Sequence, residues 1–334
     1  MKIIRQALGI DVSMKKVDCS ISYQNANREI IILSNKEFSN NPKGFNELFV
    51  WLKKNALSGI SLSIVMEATG VYYENLAFYI YENTSYDLSV VLPAKVKYYF
   101  KSLSHKTKTD KIDAIMLSQY GIERNLSLWQ PPSYKLKEIK SLCREYRDSK
   151  KNINQLKNQL HAKKHSYKPT PSTIKRLNRR IELFEFQCLE IEAELRKLVY
   201  ESDFLNNKIE KICTIPGVGF ITAISVVAES NGFVLIRNAK QLTSYAGLDV
   251  QHNNSGMKTG KSRISKKGNT YIRQALYMPA LSASRVNKNL AEFYTRINNK
   301  RNCKKIGLIG VSRKLLILIY TLYKNDECFK LVAN

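Results

Sequence analysis

The chain has 334 residues, room for two domains at roughly 150 residues each, or three smaller ones. Lys and Arg number 54 against 28 Asp and Glu, a formal net charge of +26, and 44% of residues are hydrophobic. A chain this apolar can bury a core, which excludes a disordered basic tail, and the charge points to a polyanionic partner, nucleic acid before an anionic membrane surface. No membrane partner is expected: Leu315 to Tyr323 is short, follows Arg313 and Lys314, and reads as a buried helix. The opening MKIIRQALGIDVS has no apolar leader core. Cys19, Cys143, Cys188, Cys213, Cys303 and Cys328 form no CxxC pair, the pattern of reduced thiols in a cytoplasmic protein.

Residues 1–130 alternate strand and helix patterns. Ile3 to Asp11, Val17 to Tyr23 and Glu29 to Leu33 read as three strands. Asn41-Pro42 then opens a helix with Phe45, Leu48, Phe49 and Leu52 on one face. Ser61 to Met66 reads as a buried strand, Tyr72 to Tyr81 as a helix, Leu88 to Leu92 as a strand closed by Pro93, and Asp110 to Arg124 as a helix. A three-stranded meander followed by βα units fits an α/β, RNase H-like domain.

Pro131-Pro132 breaks the chain, and residues 131–204 read as a helical hairpin linker. Ile174, Leu177, Ile181, Phe184, Cys188, Ile191, Leu195 and Leu198 fall three and four apart, a heptad seam. Two readings stand: a helix pair packing on itself, or a coiled coil that dimerises or bridges domains. Residues 205–334 form a mainly α-helical third region. There Pro216-Gly217-Val218-Gly219 joins two apolar segments, as in a helix-hairpin-helix element whose Gly217 and Gly219 let backbone N–H groups approach a phosphate. A plain glycine turn is the competing reading.

Four acids stand out. Asp11 ends the first strand, Glu67 ends the fourth, and Asp110 and Asp113 lie one turn apart on a helix, with Cβ atoms about 5–6 Å apart. In an RNase H-like sheet the first and fourth strands are neighbours, so the four can converge. Converging carboxylates repel unless cations sit among them. Hard oxygen ligands favour Mg²⁺ or Mn²⁺, and two such ions about 4 Å apart suit phosphoryl transfer. Taken singly, Asp110 also suits a helix N-terminus and Asp113 a solvated pair with Lys111.

Basic residues surround them. Lys95, Lys97, Lys101, Lys106, Lys108 and Lys111 interleave with Tyr98, Tyr99 and Phe100, a pattern that suits a nucleic-acid backbone with stacked bases, or a solvated lysine face. A second basic stretch carries Lys258, Lys261, Arg263, Lys266, Lys267 and Arg273 with no acid. Ser255 stands just before it in Asn254-Ser255-Gly256, where a hydroxyl in a field of cations can meet a phosphorus atom, or where a serine is merely common in a glycine-rich loop. His161 and His165 are i, i+4 with no third metal ligand evident, and His252 is a weak general-base candidate.

The ordered set GIDVS (9–13), EATG (67–70), KTDKIDA (108–114), the helical hairpin, IPGVG (215–219), LTSYAGLD (242–249), Ser255-Gly256 and KSRISKKGN with YIRQAL (261–276) resembles the DEDD-type insertion-sequence transposases related to the Piv DNA invertase. The resemblance spans essentially the whole chain. It implies an N-terminal RuvC-like domain with a DEDD tetrad, matched by Asp11, Glu67, Asp110 and Asp113, and a C-terminal transposase domain with a serine nucleophile, matched by Ser255. The family often has Ser-Ser-Gly at that point, and Ser262 and Ser265 rank behind Ser255. The resemblance further implies a guide (bridge) RNA that pairs with donor and target DNA. It also implies dimers and a tetramer, with the tetrad of one protomer facing the serine of another, and a cytoplasmic enzyme associated with the nucleoid when active. Two other readings remain at this point: a RuvC-like nuclease that uses water and needs no Ser255, and a non-catalytic RNA- or DNA-binding protein.

Overall fold

A computed structural model of the protein describes residues 2–103, 109–251, 254–255, 258–260, 262–299 and 303–330. The chain divides into two compact units, residues 1–131 and 132–334.

The first unit is built on a five-stranded mixed sheet. Strands β1 (Ile3–Val12), β2 (Lys16–Asn25) and β3 (Ile30–Ser39) form an antiparallel meander. Helix α1 (Pro42–Asn55) follows, with Asn41 as N-cap accepting from the Gly44 N–H at 2.9 Å and Pro42 in the first turn. Then come β4 (Leu62–Glu67), α2 (Glu74–Asn83), β5 (Asp87–Val91), α3 (Pro93–Ser102) and α4 (Asp110–Glu123). Parallel pairing of β1 with β4 and of β4 with β5 gives the strand order β3-β2-β1-β4-β5.

Strand parity decides which side chains meet which helix. Leu8 and Ile10 of β1 and Ile64 and Met66 of β4 are fully buried against Leu48 and Leu52 of α1 and Leu76 and Ile80 of α2. Each such side chain contributes about 1.5–3 kcal/mol. The alternate residues face α4. Val65 packs with Leu117, and Ser22 of β2 shares a 2.7 Å hydrogen bond with Ser118. A Cβ on Gly9 would lie 2.1 Å from the Ala114 carbonyl oxygen, and one on Gly121 2.6 Å from Val65 Cγ2. Only glycine at these two positions lets α4 lie directly on the sheet. The unit closes with Trp129, whose N–H donates to the Leu88 carbonyl and whose ring meets Phe78 and Tyr81 edge-on.

Two details differ from the sequence reading. The third strand runs on to Ser39 through Ser34, Asn35, Lys36 and Glu37; it is an edge strand and does not need an apolar pattern to pair. Pro93 opens helix α3, because proline's fixed φ suits a first helical turn as well as it ends a strand.

The second unit is mostly helical. Helices α5 (Tyr134–Lys164) and α6 (Pro171–Tyr200) form a hairpin. Ile153 and Leu156 of α5 pack on Leu177, Ile181 and Cys188 of α6, while Ile191, Leu195 and Val199 enter the main core with α7 (Asp203–Cys213) and α8 (Phe220–Glu229). Beyond a single 3₁₀ turn, α9 (Ala239–Tyr245) leads into four two-residue strands: β6 (Val250–Gln251), β7 (Asn254–Ser255), β8 (Lys258–Thr259) and β9 (Arg263–Ile264). β6 pairs with β9 and β7 with β8, so the described residues of the stretch read as a glycine-rich loop include two pairs of short antiparallel strands. Helices α10 (Thr270–Val286), α11 (Lys288–Asn298) and α12 (Lys305–Asn325) complete the unit. Among the described residues α12 alone is long and apolar enough to cross a membrane, but half of its apolar window is buried, with Val311, Leu315, Leu316 and Ile319 in the core.

Candidate active site

All four acids picked from the sequence line one cavity of the first unit, about 700 Å³ in volume. Asp11 has the same strand parity as Gly9, and Glu67 the same as Val65, so both project toward α4. The parallel register runs to Ile10 opposite Met66, which brings Asp11 and Glu67 next to each other at the strand ends. Asp110 and Asp113 occupy the first turn of α4, where Thr109 caps the helix by accepting from the Ile112 N–H and the helix dipole favours negative charge. The close seat of α4 on Gly9 carries that first turn to the ends of β1 and β4.

Electrostatics follow from this geometry. Burial pushes the Asp11 carboxyl up to about 7, and Asp113, Asp110, Glu67 and Asp18 add to the rise, because each disfavours another negative charge. Asp18 was not picked from the sequence. It lies directly across from Asp11 on β2, on the same sheet face, and burial raises its carboxyl too, with Glu37 and Asp110 adding to the rise. The signal was present in the alternation of Val17, Asp18 and Cys19, which sets Asp18 on the face opposite its apolar neighbours.

The donor set is that of a hard divalent cation: several carboxylates, no thiol, and a mutual repulsion that a cation would relieve. Among the described residues no three His, Cys, Asp or Glu side chains already stand in coordinating positions. The acids therefore share a cavity rather than a closed cage.

Helix α3 supplies a cationic wall. Lys97 and Lys101 line the acid cavity with Phe100, and Lys95 is exposed on the same helix. Thr69 and Tyr72, from the turn after β4, line it as well and were not picked from the sequence. Tyr98 is exposed, but Tyr99 is buried with its ring 4.8 Å from Tyr120, so it is a core residue and not a platform for bases. Lys106 and Lys108 lie outside the described residues.

The second unit presents the serine stretch as a two-tier hairpin. Ser255 stands opposite Lys258 in the β7–β8 register. Arg263, Lys266 and Lys267 are exposed in and after β9, while Lys261 and His252 lie outside the described residues. Ser265 is built into the hairpin base, its hydroxyl bonded to the Asp249 carboxylate and its N–H to the Asp249 carbonyl. Arg273 also works at the base, donating from Nη1 to the carbonyls of Ala246 and Gly268 at 2.7 and 3.1 Å.

Beneath the base lies a network not anticipated from the sequence. Glu229 is 2% exposed and receives Arg144 through Nε at 2.6 Å and Nη2 at 3.0 Å, and Asn269 Nδ2 at 2.7 Å. Asn269 in turn caps α10, accepting from the Tyr271 and Ile272 N–H groups. The signal was a glutamate closing the apolar run of α8, since a buried acid needs partners. Gly217 has a left-handed φ of +95°, and a Cβ there would sit 2.6 Å from the Ala283 nitrogen, so its glycine serves close packing on α10. Gly219 is exposed, N-caps α8 and has open space around it.

Comparison with known proteins identifies the family of the chain. Residues 8–169 match a family described as a DEDD transposase of the IS110 type, and residues 209–295 match the transposase IS116/IS110/IS902 family. The chain is 30% identical to the pilin gene-inverting proteins of Moraxella bovis, over 96% of this chain and 97% of that one, and of Moraxella lacunata, with the same coverage. A solved Thermus thermophilus RuvC in complex with a Holliday junction substrate aligns at 8% identity and a TM-score of 0.27, covering 34% of this chain and 90% of that one, a likeness too slight to argue from. Thirty per cent identity along nearly the full length of both chains decides the matter: the protein belongs to the IS110-type transposases related to the pilin gene invertases, enzymes of DNA strand transfer.

Proposed function

We propose that the protein is the RNA-guided recombinase of an insertion sequence, exchanging DNA strands with two sets of residues. One set is the tetrad Asp11, Glu67, Asp110 and Asp113; the other is Ser255 in its basic hairpin. The observation that carries this reading is the meeting of four carboxylates in one cavity, where burial first and the neighbouring acids second lift Asp11 to about 7. A fold bears such repulsion where function demands it.

Ser255 Oγ attacks the scissile phosphorus. The P–Oγ bond forms, the P–O3′ bond breaks, and the hydroxyl proton passes through a base to the departing 3′ oxygen. A partner strand's 3′-OH then attacks the phosphoserine, its proton moving in the reverse sense, and restores both serine and phosphodiester. Bond energy is conserved, so no nucleotide triphosphate is consumed. The tetrad would hold one or two Mg²⁺ or Mn²⁺ ions, which stabilise negative charge on the leaving oxygen. Lys97 and Lys101 beside the acids, and Arg263, Lys266 and Lys267 beside the serine hairpin, attract and position phosphates.

A guide RNA that pairs with donor and target DNA supplies sequence choice in this reading, as base pairing does in other guided systems. The charge of +26 supports an additional polyanion. Self-association is part of the same reading. Leu183, Phe186 and Leu189 are exposed three residues apart along α6, on the side away from its seam with α5, and suit a second copy.

The test is strand transfer with Mg²⁺, element ends, target DNA and the flanking non-coding RNA. Wild type should give joined products, and Ser255→Ala and Asp11→Asn none, with a protein–DNA adduct that Ser255→Ala lacks. Cleavage that survives Ser255→Ala but not Asp11→Asn would replace this reading with a metal-dependent nuclease that uses water. Products without the RNA would remove the guide.

A further inference from the structure

A cleft of about 260 Å³ opens in the second unit between α5, α8 and α10, lined by neither the tetrad nor Ser255. Its floor is apolar, with Ile221 of α8, Ala275 of α10 and the ring of Tyr146 of α5, and the exposed Met278 of α10 stands at its rim. One wall is cationic. Arg144, Arg147 and Lys150 of α5 form it, and Lys140 continues the same helix face one turn away. The guidinium groups of Arg144 and Arg147 lie 3.9 and 4.1 Å from the centroid of the Tyr271 ring.

Both arginines are held in place. Arg144 grips buried Glu229 through two nitrogens, and Arg147 Nη1 donates to Gln274 Oε1 at 2.9 Å. Lys150 extends over the Tyr146 ring, with Nζ 5.2 Å from its centroid, and stays exposed. Glu229 and Asp148 together offset two of the four cations, which leaves the wall positive. Planar guanidinium groups held over an aromatic ring offer a stacking surface for a nucleobase. Thr222, Ser225 and Gln274 line the same cleft with groups that can meet a base edge.

We propose that this cleft receives one unpaired nucleotide of a polynucleotide strand. The base enters the apolar floor beside the fixed guanidinium groups, and its phosphate rests on Lys150 and the adjoining face of α5. A duplex keeps its bases stacked inside and offers the cleft only phosphates, so the shape selects a single strand or a nucleotide turned out of a helix. DNA and RNA strands share this chemistry. The site stands on binding alone and needs neither the tetrad nor Ser255.

Fluorescence anisotropy with the full chain tests it, using 20-nucleotide oligo-dT, oligo-U and a DNA duplex of that length across a salt series. Thr222→Trp fills the cleft without changing charge, and Met278→Glu sets an acid at its rim. Each should weaken single-strand binding about tenfold, within the range of one lost stacking contact, and shift duplex binding less than twofold. Lys150→Gln should reduce the single-strand salt slope by about 0.7. A loss on oligo-dT alone, on oligo-U alone or on both supports the site and identifies the strand. Unchanged single-strand affinity in both variants, or an equal loss on duplex, overturns it. Should Thr222→Trp lower the melting temperature, Met278→Glu decides, because that side chain is 64% exposed.

Discussion

Asp11 and Glu67 stand at or next to the ends of strands that carry the fully buried Leu8, Ile10, Ile64 and Met66, whereas Ser255 stands in a two-residue strand of a small hairpin. The acid cavity takes its geometry from the core: strand parity aims two carboxylates, and Gly9 seats α4 so that two more arrive. The serine hairpin takes its geometry from polar anchors at its base, namely Glu229, Asn269, Arg273 and Asp249. The acids must repel one another and still stay put, which calls for a rigid scaffold. In the proposed mechanism Ser255 moves between a free hydroxyl and a phosphodiester bond, a role that tolerates a lighter mount, and light mounts open most readily.

The largest effect expected from breaking the first arrangement is at Gly9. Gly9→Ala would drive a methyl into the backbone of α4 at Ala114 and Ser118, neither of which is a flexible side-chain end. Overpacking of this kind costs about 1–3 kcal/mol. The displaced first turn should lower strand transfer by about 100-fold, since misplacement near 1 Å is enough for that. Thermal melting and strand transfer on one preparation check it; full activity in Gly9→Ala would show that α4 need not touch β1 to place Asp110 and Asp113.

The second arrangement breaks at Glu229. Glu229→Gln keeps the shape and the bond to Asn269 but removes the charge that Arg144 grips through two nitrogens. A cost of about 2 kcal/mol is expected, below that of a fully buried pair because the Arg144 side chain is 38% exposed. Hydrogen exchange should rise through residues 247–269 and stay constant in the first unit. Faster exchange in β1 or β4 would contradict the separate mounting of the two sites.

Much of the acid cavity was legible in the sequence, because the strands carry apolar runs that end in an acid and a helix begins on Asp110. Asp18 and helix α3 were harder to see. Asp18 stands beside Lys15 and Lys16, which disguise it as a surface charge, and Pro93 ends a strand and begins a helix by the same fixed φ. The anchor of the serine hairpin was least legible, since Arg144, Glu229 and Asn269 lie far apart in the chain and meet only through folding. Glycine spacing suggested a loop there, whereas the short strands owe their pairing to register with partners rather than to any pattern of their own.

The smallest effect, and the sharpest for the acid cavity, is in pH. Asp11 titrates at about 7 in the folded protein against 3.8 for an ordinary aspartate, so the folded state binds its proton more tightly than the unfolded state does. Between pH 4 and 7 the folded state therefore holds more of that proton, and stability falls as pH rises; the full cost is present above pH 7. The side chain is partly exposed, and solvent screening reduces the cost to about 1–2 kcal/mol. Asp11→Asn has the same shape and no charge. In chelator, the melting temperature of wild type minus that of Asp11→Asn should become more negative from pH 4 to pH 8, by a few degrees. Mg²⁺ at pH 8 should close the gap, because a cation among the remaining carboxylates compensates wild type more than the variant. A difference that stays flat with pH would mean that Asp11 ionises freely and that the acids do not press on one another, and the repulsion that points to a cation would be gone.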